Sequence, residues 1–120
     1  MRPTYIYKIF QLPAWTTFEQ TGRYKGSPVD ISDGFIHLSC AHQMQGTLDK
    51  HYTDAKDLIV GQIDAAKLGE ALKYEPSRGG EDFPHLYDDL SMDAVSQHWP
   101  WSPDSSGRYA VCDILPGELS

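Results

Sequence analysis

Hydrophobic positions along the chain fall into short runs separated by Gly, Pro and Asp, and the spacing within each run predicts its element. In TYIYKIF (residues 4–10) β-branched and aromatic residues alternate. A strand there puts Tyr5, Tyr7 and Ile9 on one face and Ile6, Lys8 and Phe10 on the other, so both faces are expected to be covered. LPAWTTFEQTG (12–22) carries Pro13 in a first helical turn, Trp15 and Phe18 on one side and Gly22 as a stop, which predicts a short helix. GRYKGSPVDISDG (22–34) is dense in Gly, Ser, Pro and Asp and is expected to be a long loop, the kind that often carries function.

FIHLS (35–39) reads as a strand with Phe35, His37 and Ser39 on one face and Ile36 and Leu38 on the other. A helix is expected to start at Ser39 or Cys40 and run over CAHQMQGTLDKHYT (40–53), with Met44, Leu48 and Tyr52 as its buried stripe. DLIVGQID (57–64) is a second core strand, and AAKLGEAL (65–72) follows as helical turns capped by Asp64. LKYE (72–75) is either a strand or the tail of that turn, and PSRGGEDFP (76–84) is a second long loop. AVSQHWPW (94–101) and RYAVCDIL (108–115) predict two more strands around the turn SPDSSG (102–107). This order does not alternate strand and helix regularly enough for a doubly wound parallel sheet. It predicts one α+β domain with small mixed or antiparallel sheets and two or three short helices.

Length agrees, since 120 residues make one ordinary domain. Charge narrows the partners: 17 acidic against 10 basic side chains leave a net charge of −7. With no cationic stripe to neutralise phosphates, a large nucleic acid is disfavoured, whereas a small-molecule ligand is compatible. The start of the chain lacks the continuous apolar segment of a signal peptide, no run approaches the ~20 apolar residues of a membrane helix, and no CxxC accompanies Cys40 and Cys112. A cytoplasmic protein with reduced thiols is expected. Oligomeric state is left open.

Chemistry concentrates in two similar segments, FIHLS (35–39) and FPHLY (83–87), each placing a histidine before Leu and a hydroxyl beside a Gly- and Asp-rich loop. Loops on the edge of a rigid sheet commonly carry ligand contacts, so His37 and His85 are the candidate catalytic residues and Ser39 and Tyr87 candidate ligand contacts. Trp15, Trp99 and Trp101 are expected to pack, with Trp101 in WPW too exposed for the core. The competing reading makes both histidines satisfied structural groups and Ser39 a helix cap. Glu75 is either an acid/base or ribose-binding carboxylate or, with Arg78, a solvent-exposed ion pair. His37, His42 and His85 with Asp33, Glu81 or Asp82 could ligate a metal, yet no HxxxH, HExxH or CxxC spacing is present and no metal is expected. Neither a Cys40–His37 nucleophile nor a Ser39 hydrolase has its motif, and no cofactor can be named from the residues alone.

YIYKI near the start, the Trp of the first helix, G.Y.GS, DGFIHLS followed by Gln43, DLIV with ID, YE and FPHLY occur in the order found in a bacterial family known as domain of unknown function 952. The chain resembles that family over about residues 5–95, and the resemblance extends distantly to the ADP-ribosyltransferase-like fold. It implies a cleft between two small sheets that binds NAD or an ADP-ribosylated group, lined by His37, Ser39, His85 and Tyr87, with Gln43 and Arg78 as further ligand contacts. The strand bearing His37 and Ser39 would resemble the second signature strand of that fold, with Glu75 or His85 near the cleft. This chain departs from active transferases in its first strand, where Tyr7 and Lys8 stand in place of the usual Arg or His.

Overall fold

The computed structural model describes residues 4–51, 57–77 and 80–101. Strand β1 (Tyr5–Gln11) forms where alternation predicts it and is covered on both sides. Ile6 and Phe10 enter one core cluster and Tyr7 and Ile9 another. Helix α1 (Leu12–Thr21) follows with Pro13 in its first turn, and Gly22 closes it in the left-handed region at φ 78, where a residue without Cβ pays no steric penalty. Trp15 and Phe18 are its buried residues, and together with Tyr24 they surround Phe10 at ring-centroid distances of 5.0–5.6 Å.

The segment expected to be a long loop is organised instead. It contains the two-residue strand β2 (Arg23–Tyr24) and a six-residue helix, α2 (Pro28–Asp33). Ser27 caps α2 and accepts from Asp30 N, Asp30 returns a bond to Ser27 N, Pro28 begins the helix, and Gly34 ends it at φ 88. This reciprocal box satisfies two otherwise orphaned donors, which holds so short a helix together. Strand β3 is also shorter than alternation predicts, spanning Ile36–His37. Beyond it the chain crosses to the other sheet, where Ser39 bridges Tyr7 through two backbone bonds of 2.8 and 2.9 Å. A 3-10 turn (Ala41–Gln43) leads into α3 (Met44–His51). The cap of that turn is Cys40, not Ser39. Met44 is fully buried, and the rest of its predicted stripe lies outside the described side chains.

Strand β4 (Leu58–Asp64) runs antiparallel to β1, and Asp64 caps a 3-10 segment (Ala65–Ala71). LKYE resolves into a strand, β5 (Leu72–Pro76). The second predicted loop is shorter than expected because β6 (Asp82–Leu86) starts within it. Strand β7 (Leu90–Ser91), a 3-10 turn (Met92–Ala94) and β8 (Val95–Trp101) complete the described chain. Trp101 is buried at 4% exposure, contrary to expectation, because β8 pairs with β4 and sets Trp101 opposite Leu58 in the second core cluster. The predicted strand at 108–115, Cys112 and Arg78 fall outside the described residues.

The sheets have strand orders β1-β4-β8, β2-β7 and β3-β6-β5, and their pairings are antiparallel. The α+β expectation therefore holds, with the antiparallel alternative realised. Strands β1 and β3 each lie at the edge of their own sheet, and the Tyr7–Ser39 bridge joins β1 to the chain just past β3. Among the described residues, no helix is long and apolar enough to cross a membrane.

Candidate functional site

The junction of the two edges is built around an ion pair. Lys8, on the same strand face as Ile6 and Phe10, is 7% exposed, and Asp30, the buried residue of α2, is 2% exposed. Lys8 Nζ donates to Asp30 Oδ2 at 3.2 Å and to the His37 carbonyl at 2.9 Å. Asp30 also accepts from Ser27 N at 2.8 Å, and its Oδ1 accepts from His37 N at 3.1 Å and meets His37 Nδ1 at 2.7 Å. Burial alone would push the Asp30 carboxyl up. The hydrogen bond from His37, the Lys8 ammonium and the backbone N–H groups of Ser27 and His37 outweigh it and hold Asp30 well below the usual carboxylate range. For Lys8 burial prevails, and its ammonium sits below its usual value although Asp30 pulls the other way.

His37 and His85 are directly opposed in the β3–β6 register, with ring centroids 5.7 Å apart. His37 is half exposed, and its Nε2 reaches the Asp33 carboxylate at 2.9 Å. His85 is buried, and its Nδ1 donates to Glu75 Oε1 at 2.9 Å. The same Glu75 oxygen accepts from the Tyr87 hydroxyl at 2.7 Å. The Tyr87 and His85 bonds hold Glu75 below its ordinary value, and Glu75 in turn raises Tyr87. Phe35 lies against the rings of this group: 4.1 Å from His85 in a stacked arrangement, 4.6 Å from His37 and 5.2 Å from Tyr87. Each histidine thus has its Nδ1 fixed on a carboxylate, Asp30 for His37 and Glu75 for His85, which orients both rings.

The two histidines, Glu75 and Tyr87 are therefore brought together. Ser39 and Gln43 are not on this face. Ser39 is buried, with its hydroxyl 3.1 Å from that of Thr47. Gln43, also buried, accepts from Cys40 N and donates to Glu81 Oε1 and the Asp82 carbonyl, tying the start of β6 to the 3-10 turn. His42 pairs with Glu81 at the surface, away from His37. Among the described residues no cluster of three or more His, Cys, Asp or Glu side chains is arranged to hold a metal ion.

Asp30 is the residue that sequence reasoning missed, and Lys8 was placed without a role. The signals were local. S-P-V-D followed by Gly34 is a capping box in disguise, and a lone Lys on an apolar strand face implies a buried counter-charge.

Fold and geometry together define a class: a small antiparallel α+β domain in which an edge strand and the central strand beside it pair two histidines, each anchored to a carboxylate. The chain belongs to the family described as Protein of unknown function (DUF952), whose model matches residues 9–98. It is similar to protein CC0527 of Caulobacter crescentus. The X-ray structure of that protein is 41% identical with a TM-score of 0.89, covering 94% of this chain and 99% of that one. Its solution NMR structure is 40% identical with a TM-score of 0.85, covering 97% and 100%. No functionally curated protein matches the chain.

Proposed function

We propose that the protein binds a small, polar, nucleotide-like ligand on the face shared by His37 and His85, as a divergent relative of the ADP-ribosyltransferase-like fold. The observation that carries this reading is the cross-strand pairing of the two imidazoles, 5.7 Å apart and each anchored to a carboxylate. Ligand sites combine apolar and aromatic walls with a few convergent polar groups, and the same face carries both kinds. Phe35 and the half-exposed Tyr87 offer ring surface for a base, and Glu75, with both bonds on Oε1, keeps Oε2 for a ribose hydroxyl. His37 is the ligand-facing hydrogen-bonding group, with Asp30 as the residue that positions it. Ser39 and Gln43 support the loops around the face rather than touching the ligand.

The reading is limited to binding. Tyr7 and Lys8, at the strand positions where active transferases place Arg or His, are 0% and 7% exposed and hydrogen-bonded inside the protein, so they are not offered to a nicotinamide ring. Titration calorimetry with ADP-ribose, NAD and adenosine tests the proposal. Binding is expected to weaken in Glu75→Gln and His37→Asn variants that keep the wild-type fold. The absence of binding to all three compounds at millimolar concentration overturns it.

A second reading, in which the histidines are structural parts of a non-catalytic interaction module, draws on one observation: the His85 side chain is 6% exposed and stacked on Phe35. It predicts a large loss of thermal stability for His37→Ala, because buried Asp30 loses a donor.

A further inference from the structure

The two carboxylates on His37 differ in how they are held. Asp30 is fixed by Lys8, by Ser27 N and by His37 N as well as by the ring. Asp33 is 47% exposed and meets His37 Nε2 from the last position of α2. Helix electrostatics oppose a carboxylate there, since the C-terminal end carries partial negative charge and no basic residue stands in the last turn. The contact that faces Asp33 is the His37 ring, whose Nε2 stands 2.9 Å from it. A ring donates through Nε2 only when that nitrogen carries a proton, and with Nδ1 on Asp30 the Nε2 edge is the one turned to Asp33.

Charge accounting at the junction then has a simple form. Lys8 and Asp30 neutralise one another, and the Asp33 carboxylate faces the Nε2 edge of the His37 ring. The other groups around the ring are already engaged: His85 of β6 and Tyr87 both donate to Glu75 of β5, Phe35 lies against the ring, and Lys8 stands 5.9 Å from the Tyr24 ring centroid.

We infer that His37 Nε2 is the donor of an oxyanion subsite that Asp33 fills as a tethered stand-in, and that a ligand's phosphate or carboxylate takes its place when Asp33 turns out into solvent. The inference rests on reading the His37 face as the ligand site, and it adds which part of the ligand binds there and which residue must leave. Asp33 competes with the ligand, so the apparent affinity is reduced by the fraction of molecules in which Asp33 is bound.

The test measures the His37 ring signals by NMR during titration with inorganic phosphate, acetate, adenosine and adenosine monophosphate. Wild type is compared with Asp33→Ala, Asp33→Asn and a control, Glu19→Gln, which removes the same charge on the exposed face of α1. Apparent affinity for phosphate is expected to rise about tenfold in Asp33→Ala, less in Asp33→Asn and not at all in Glu19→Gln. A parallel gain for acetate marks a general oxyanion subsite, and a gain for phosphate alone marks one selective for phosphate. No gain for either anion, or an equal gain in Glu19→Gln, overturns the inference. Adenosine binding to wild type with no gain for the monophosphate in Asp33→Ala overturns the subsite while leaving the nucleotide-like ligand standing. Phosphate gain in Asp33→Ala with no adenosine, NAD or ADP-ribose binding to any variant leaves the subsite standing and removes the nucleotide-like ligand.

Discussion

Asp30 organises the junction, and it does so at a cost. Removing two charges from water is expensive, and the ion pair with Lys8 offsets that only because the remaining carboxylate lone pairs accept from Ser27 and His37. Asp30→Asn leaves Lys8 buried without a counter-charge, and we expect a loss of about 3 kcal/mol or more in urea unfolding. Asp30 also sets a pH dependence whose sign follows from its depressed folded-state value. Its stabilisation is fully present above the ordinary carboxylate value of about 4 and is lost as pH falls through the lower folded value. Urea midpoints followed from about pH 6 to about pH 2 should therefore fall more steeply in wild type than in Asp30→Asn. Equal slopes would show that Asp30 is not the titrating group.

At the scale of elements, α2 exists because of its ends. Ser27→Ala removes one half of the capping box and is expected to cost about 1 kcal/mol. Gly26→Ala should be worse. Gly26 has φ 117, and a Cβ there would stand 2.7 Å from Asp30 Cβ, so either the turn or the ion pair must shift. Thermal melts of the two variants check the order, and a Gly26→Ala protein as stable as Ser27→Ala would contradict it. β1, α1, β4 and β8 were legible in the sequence because apolar periodicity and Gly22 or Pro13 signal them directly. α2 was not, because the side chain it buries is a carboxylate, and a Gly- and Pro-dense segment with no apolar period looks like loop. For the same reason His37 and His85 stood out through the repeated FIHLS and FPHLY pattern, while their anchors did not. Asp30 reaches His37 across a helix end and Glu75 reaches His85 across a strand pair, and neither relation has a sequence period. Ser39 lies off the ligand face that alternation assigns it, because alternation cannot show that the chain leaves β3 for the edge of the other sheet.

For the molecule as a whole, one core cluster ties the sheets together, with Ile6, Phe10, Ile59 and Ile63 on one side and Ile36 and Leu86 on the other. Phe10 within it is 1% exposed and in contact with three aromatic rings. Phe10→Ala is expected to cost about 3–5 kcal/mol, and Trp15 fluorescence and the His37 ring signals should lose structure at one shared midpoint. Separate midpoints would mean that the two sheets fold independently and that the junction is not part of a common unit. The central claim is that the neighbouring strands β3 and β6 present His37 and His85 as one ligand face. Its most direct measurement is a nitrogen–proton correlation spectrum of the imidazole rings during titration with ADP-ribose. The rings of His37 and His85 are predicted to shift together along one binding curve, while His42 and His98 stay fixed. If ADP-ribose leaves both rings unmoved at millimolar concentration, or moves His42 and His98 as much as the pair, the face is not the binding site.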